Sequence, residues 1–327
     1  MVDTTLTASP LEAAAGAAGR HTSEAFALLG NETRLAILLT LWEEHDPHSD
    51  DDPVPFSQIF ERVECDDPGN LRYHLEKLKG QFVQHTKQEG YELREPGLTL
   101  VQTVIAGAGV QDVTRKSAEI DEACPFCGAS TAIHYREGLV FWTCSECEGS
   151  TPESTESVGF LSAVPFEPAG LADRTPEEIR AASWVASRQQ VQAMFDGLCP
   201  VCSGPVEGWL DCCTDHDSAG VCENCGKQLA CWARFQCRIC KNSSVNSPKS
   251  LALFHPSVVA FYDAHEVSTR IMADDFESVR RVFSLVDNHQ MEVVSDNPPS
   301  VAVTVSLGTG EVRLLFDETV SIVDVSR

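Results

Sequence analysis

Asp66 to Gly80 read "DDPGNLRYHLEKLKG", a stretch that starts acidic and ends basic. Asp67 suits a helix N-cap, and Pro68 suits the first helical position, where its missing N–H costs nothing. Leu71, Leu75 and Leu78 then recur at helical spacing as one apolar stripe. At about 100° per residue, the side away from that stripe carries Gly69, Asn70, Tyr73, Glu76 and Lys77, with Arg72 and Lys79 on one flank. Asn and Arg match adenine and guanine edges, while Lys and Tyr suit phosphate oxygens. His74 falls nearer the apolar side and reads as a packing residue. A leucine back and a basic, hydrogen-bonding front are what a helix needs to lie in a DNA groove.

The surrounding charge sharpens this. The chain holds 49 acidic and 24 basic side chains, a formal charge of −25. Only seven lysines occur, and three of them are Lys77, Lys79 and Lys87. From Pro68 to Arg94 the local charge is +2, where a segment of that length averages about −2. An acidic chain repels nucleic acid on average. Acidity spread along the whole length, with arginine favoured over lysine, resembles the composition of halophilic proteins, whose carboxylates keep the surface hydrated in molar salt. The net charge then describes the solvent, and the local inversion carries the function.

The neighbouring segments fit a compact helical unit. "SEAFALLGNETRLAILLTLWEEH" (23–45) reads as two helices, the first marked by Phe26 and Leu29, the second by Leu35, Leu38, Leu41 and Trp42 and capped by Asn31. An acidic loop (45–55) reads as solvated rather than as a cation site, despite His45 and His48. "PFSQIFERV" (55–63) sets Phe56, Ile59, Phe60 and Val63 on one helical face. "FVQHTKQEGYELRE" (82–95) reads as a β-hairpin around Gly90, and "GLTLVQTVIAGAG" (97–109) as a closing helix.

"LLGNETRLAILLTL" (28–41) followed by "NLRYHLEKL" (70–78) resembles the ArsR-type winged helix-turn-helix regulators over residues 22–109. The resemblance implies an α+β winged-helix fold and double-stranded DNA as partner. Asn70, Arg72, Tyr73, Lys77 and Lys79 are then the contacts from the recognition helix 68–79, with Lys87 and Arg94 around the wing. It also implies a homodimer paired through residues 98–108, with that helix extended towards 118. Family members that sense metals carry a Cys-x-Cys box in the preceding helix. Here that place reads "SQIFERVECDD" (57–67), with Cys65 alone, so sensing of that kind is not supported.

Fourteen cysteines occur, and ten fall into five Cys-x-x-Cys pairs, the spacing of metal sites rather than of a disulfide framework. Cys124, Cys127, Cys144 and Cys147 flank "TAIHYREGLVFWT" (131–143), a hairpin turning at Glu137–Gly138, and predict a zinc ribbon over 120–166. "TPEEIRAASWVASRQQVQAMF" (175–195), capped by Thr175, predicts a helical spacer over 172–196. Residues 197–245 hold Cys199, Cys202, Cys213, His216, Cys222, Cys225, Cys237 and Cys240, ligands enough for two further zinc ions. A RING-like cross-brace, or one zinc on Cys199, Cys202, Cys222 and Cys225 with Cys237 and Cys240 on a second, both fit the spacing. Two or three structural zinc ions per chain follow. Cys212 and Cys231 are left over and, like Cys65, read as buried or idle.

Residues 246–327 predict a small α+β domain. "LALFHPSVVAFYDAH" (251–265) reads as a strand entering a helix that starts at Pro256. "DDFESVRRVFSLV" (274–286) reads as a helix, and "SVAVTVSLGTGEVRLLF" (300–316) as a hairpin followed by the strand "TVSIVDV" (319–325). No nucleophile–base pattern or phosphate loop stands out, His255 and His265 read as structural, and no catalytic residue is assigned. Residues 1–21 read as an Ala-rich, disordered lead-in with neither a basic start nor an apolar core, hence not a secretory signal. No apolar run spans a membrane. The expectation is a cytoplasmic transcription regulator that is not an enzyme. Its competitor is an adaptor that binds a protein partner through its zinc modules.

Overall fold

The computed structural model describes residues 30–49, 53–65, 67–86, 90–107, 113–150, 159–217 and 221–327. The lead-in and the helix expected around Phe26 and Leu29 lie outside them, as does Lys87. The chain divides into two compact units, residues 1–110 and 111–327.

The first unit mixes helix and sheet in the order α1 (Glu32–Glu43), β1 (Val54–Pro55), α2 (Phe56–Arg62), α3 (Pro68–Leu78), β2 (Val83–His85), β3 (Gly90–Leu93) and α4 (Glu95–Ala106). Asn31 caps α1 by accepting from the Arg34 N–H at 3.0 Å. Leu71, Leu75 and Leu78 of α3 are fully buried against Ile37 and Leu38 of α1 and Ile59 of α2. Truncating one of these leucines to alanine costs about 2–5 kcal/mol. The strands form an antiparallel sheet in the order β1-β3-β2. Gly90 opens β3 rather than sitting at the hairpin tip, and it pairs with Pro55 of β1. A Cβ there would come within 2.5 Å of the Pro53 Cβ, so the edge strand closes only over glycine.

α4 ends at Ala106 with Gly107 left-handed (φ 104°) as its cap. The expected extension of this helix towards 118 is therefore wrong. Arg115–Ala123 is a strand, whose single wholly apolar anchor on the sheet is Ile120.

In the second unit, β4 (Arg115–Ala123), β5 (Ser130–Arg136), β6 (Leu139–Cys144) and β7 (Phe160–Pro165) make one antiparallel sheet in chain order. The β5–β6 turn at Glu137–Gly138 has both residues at positive φ, the geometry of a tight two-residue hairpin. Next come α5 (Pro176–Phe195) and a second sheet with the order β10-β9-β8, built from β8 (Val206–Cys212), β9 (Cys231–Cys237) and β10 (Ser243–Asn246). Thr175 and Glu178 form a capping box at the start of α5. α5 was expected only to space the cysteine clusters, but it buries Ile179, Arg180, Ala181, Ala182, Ser183, Val191 and Met194 and contacts both sheets.

Residues 251–254 are helical, not a strand. α6 (Pro248–Leu251) begins at a Ser247 cap and runs through one 3-10 turn towards α7 (Pro256–Ala264). Leu251, Ala252 and Leu253 are all buried, and a run buried on every side carries no period to tell helix from strand. α8 (Phe276–Asn288) then precedes a four-stranded meander of β11 (Gln290–Asp296), β12 (Pro299–Leu307), β13 (Gly310–Phe316) and β14 (Ile322–Ser326). One core joins Leu210, Ala233 and Phe235 of the second sheet to Val303, Leu314 and Phe316 of the meander. The two segments expected as separate modules therefore fold on each other. No helix among the described residues is long and apolar enough to cross a membrane.

Candidate metal centres and a candidate nucleic-acid interface

Three four-residue groups each bring their ligand atoms within 4.8 Å of one another: Cys124, Cys127, Cys144 and Cys147; Cys199, Cys202, Cys237 and Cys240; and Cys213, His216, Cys222 and Cys225. A tetrahedral zinc site with arms of about 2.3 Å has sulfur–sulfur edges of about 3.8 Å. The sulfurs lie 3.6 Å apart for Cys124 and Cys147, 3.5 Å for Cys127 and Cys144, 3.6 Å for Cys199 and Cys240, and 3.5 Å for Cys202 and Cys237. In the third group Cys225 Sγ lies 3.5 Å from His216 Nδ1. All twelve expected ligands are thus assembled, and each set fits a four-coordinate cation.

Local backbone makes these sites. The Gly128 N–H donates to the Cys124 carbonyl, and the Cys124 N–H to that of Ala129, folding the first knuckle. Opposite it, the Cys144 N–H donates to the Gly159 carbonyl. Gly159 is left-handed (φ 76°), and a Cβ on it would meet the Cys144 carbonyl at 2.0 Å. N–H groups also reach sulfur: Glu146 to Cys144, Ile239 to Cys237 and Asp217 to Cys222, each at 3.4 Å. Burial pushes the Cys144 thiol up, but the Glu146 and Cys147 N–H groups and the neighbouring thiols outweigh it, giving about 7. The Cys240 N–H leads at Cys237, bringing it to about 6, and the Asp217 N–H at Cys222, bringing it to about 7. In each group, N–H donors and neighbouring thiols thus favour the thiolate, the form that metals bind, on at least one cysteine.

The pairing in 197–245 is nested, so both expected arrangements are corrected. β8 and β9 run antiparallel with Val206 opposite Cys237 and Cys212 opposite Cys231. The knuckle before β8 and the knuckle after β9 therefore meet at one end of the hairpin. Cys213, His216, Cys222 and Cys225 lie on the connection at its other end. Seven-residue strands hold the two ends roughly 20 Å apart, which forbids the crossed sharing of ligands. Of the two left-over cysteines Cys231 is buried as expected, and it faces Cys212 across the strands, the two being disulfide-bonded. Cys65, in the first unit, belongs to none of the three groups, and its Sγ lies 3.7 Å from the Asp67 carbonyl.

The first unit presents the other candidate surface. Asp67 Oδ1 accepts from the Gly69 and Asn70 N–H groups at 2.7 and 2.9 Å, fixing the start of α3. Arg72, Tyr73 and Lys77 are exposed and Asn70 is half-buried, all on α3. Tyr73 is 56% exposed, a large aromatic ring left in solvent. The Arg72 guanidinium lies 5.5 Å from the centre of the Phe56 ring, and Lys77 Nζ stands 5.5 Å from that of Tyr73. Glu76 pairs with Lys79 at 3.1 Å, which gives that carboxylate a place and engages one of the expected cations. Arg94 is exposed at the N-cap of α4, not on α3. His74 is buried with Nδ1 unpartnered, and burial, then Arg34, holds its pKa below the usual imidazole value.

A family model described as a domain of unknown function, DUF7351, matches residues 121–322, and a second so described, DUF7347, matches residues 22–104. These spans fall one on each compact unit. No curated protein and no solved structure matches the chain.

Proposed function

The chain belongs to the DUF7351 family, and we propose that it is a DNA-binding transcription regulator that reads the major groove through α3. The observation that carries this reading is the face of α3 itself. Three leucines with no exposure anchor one side, while Asn70, Arg72, Tyr73 and Lys77 stand on the other. A capped, rigid helix with cationic and amide side chains outward is what direct readout of base edges requires. The order helix, strand, helix, helix, two strands, with sheet order β1-β3-β2, supports a winged helix-turn-helix.

In the same proposal the three tetrads hold zinc. Four protein ligands fill a tetrahedral sphere, so the ions would staple the second unit and leave no open position for catalysis. Pairing through α4 into a homodimer and a cytoplasmic location belong to this reading too. Ile105, 41% exposed near the end of α4, is an apolar side chain that such pairing would cover.

A second reading, a protein-binding adaptor, draws on Leu198, Val201 and Ile239. These apolar side chains are 50%, 71% and 57% exposed beside the Cys199–Cys240 tetrad. Genome-wide DNA pull-down of the tagged protein in molar potassium chloride separates the two. A recurring sequence motif supports the regulator. Random recovery of DNA, with a protein held through residues 120–245, supports the adaptor.

A further inference from the structure

The second unit contains a cavity of about 870 Å³ between its two zinc-type sheets, a volume in the range of small-molecule sites. Its floor is α5, where Ser187, Gln190, Val191 and Met194 recur at helical spacing along one face. One wall is aromatic: Trp142 of β6, Trp184 of α5 and Phe283 of α8. Ring centres lie 4.5 Å apart for Trp184 and Phe283 and 5.4 Å for Trp142 and Phe283.

The facing wall is polar and cationic. Strand alternation turns Cys231, Ala233 and Phe235 of β9 into the core and leaves Trp232 and Arg234 on the cavity side. The Trp232 indole N–H is enclosed and meets no acceptor among the described residues. Unpaired buried donors are costly, so an acceptor brought to this N–H would be favoured. Among the described residues, Lys227, Arg234 and Lys249 line the cavity with one carboxylate, Asp287, in a chain with twice as many acids as bases. Lys227 and Arg234 share Asp211, at 3.0 and 2.7 Å, so two cations are positioned by one carboxylate and a positive excess remains.

We infer that this cavity binds one flat organic anion, its aromatic body against the half-buried Trp184 and Phe283 and its acidic group towards Trp232 and Arg234. Flat rings stack on such faces, and an anionic oxygen would take the free indole N–H and the guanidinium together. The site is independent of the DNA reading, since all of it lies in the second unit.

The test uses the full chain with 1-anilinonaphthalene-8-sulfonate as probe and uncharged 1-anilinonaphthalene as comparison, followed by energy transfer from tryptophan. The inference expects saturation near one probe per chain, with the anion bound at least about fivefold tighter, roughly 1 kcal/mol. Ser187→Trp fills the cavity and should weaken the anion about tenfold or more, with zinc content and unfolding midpoint retained. Trp232→Phe keeps the packing and removes only the N–H, so it serves where the larger variant does not fold. It should weaken the anion about threefold and leave the neutral compound unchanged, and Arg234→Gln should reduce the preference for the anion. Unsaturable binding overturns the inference, as does equal affinity for the two probes or identical binding by wild type and Trp232→Phe.

Discussion

Arg180 Nε donates to Glu122 Oε2 at 2.9 Å, and its Nη2 to Oε1 at 3.3 Å, with both side chains at most 5% exposed. The guanidinium also lies 4.3 Å from the Trp142 ring centre, 4.8 Å from that of Phe283 and 5.2 Å from that of Trp184. One side chain therefore joins β4, β6, α5 and α8. Removing a single partner of a buried pair leaves the other charge uncompensated, so Arg180→Met should cost about 3–5 kcal/mol. The double variant Glu122→Leu with Arg180→Met should cost less than the two single losses added. Urea unfolding of the four proteins checks this, and strict additivity would count against a coupled pair.

The nested tetrads make a stoichiometric prediction. Purified protein should carry three zinc ions, and Cys202→Ser and Cys240→Ser should each release the same one. Combining those two should release no more than either alone, whereas Cys202→Ser with Cys225→Ser should release two. Zinc content by mass spectrometry decides. Loss of one ion from the latter pair would restore the crossed arrangement.

His289 sets a pH dependence. Its Nε2 lies 2.8 Å from the Tyr262 hydroxyl, and its Nδ1 donates to the Lys249 carbonyl at 2.8 Å. Burial holds its pKa down at about 4, against the ordinary 6.5. Between those values the unfolded chain holds more protons than the folded one. The contribution is thus complete above about pH 6.5 and is lost as pH falls towards 4, about 3 kcal/mol in all. His289→Gln should be less stable than wild type at pH 7.5 yet lose less on acidification. Parallel stability curves for the two proteins would remove His289 from the account.

What could be read from the sequence was whatever the chain settles locally. The Asp67 cap, the Leu71–Leu75–Leu78 stripe and the Cys-x-x-Cys knuckles each lie within a dozen residues, and all stand in the structure as expected. The rest depends on distant partners. Val54 and Pro55 become a strand only because Tyr91 and Gly90 come to pair with them. "RKSAEIDEA" (115–123) has too few apolar residues to signal a strand, and β5 makes it one. The grouping of the candidate metal ligands in 197–245 follows from the register of β8 on β9. Its signal was present in the alternation of Cys231, Ala233, Phe235 and Cys237 against Trp232 and Arg234.

The face of α3 gives the central prediction. Asn70→Ala and Arg72→Ala should each lose about 1–3 kcal/mol of discrimination between selected and scrambled sequence. Lys77→Ala should instead weaken binding to both duplexes alike and lower the salt slope by about one. Because the Arg72 guanidinium also rests on Phe56, its variant needs a folding control. Wild-type unfolding midpoints in both alanine variants would assign the loss to contact rather than to packing.

The most direct measurement is fluorescence anisotropy of wild type, Asn70→Ala and Arg72→Ala on a duplex carrying the recovered motif and on its scrambled counterpart, in molar potassium chloride. Molar salt suppresses the counterion term and leaves base contacts. The account predicts that wild type prefers the motif by at least about a hundredfold, and that each variant loses about five- to 150-fold of that preference. Equal binding of both duplexes by wild type, or variants as selective as wild type, would contradict it.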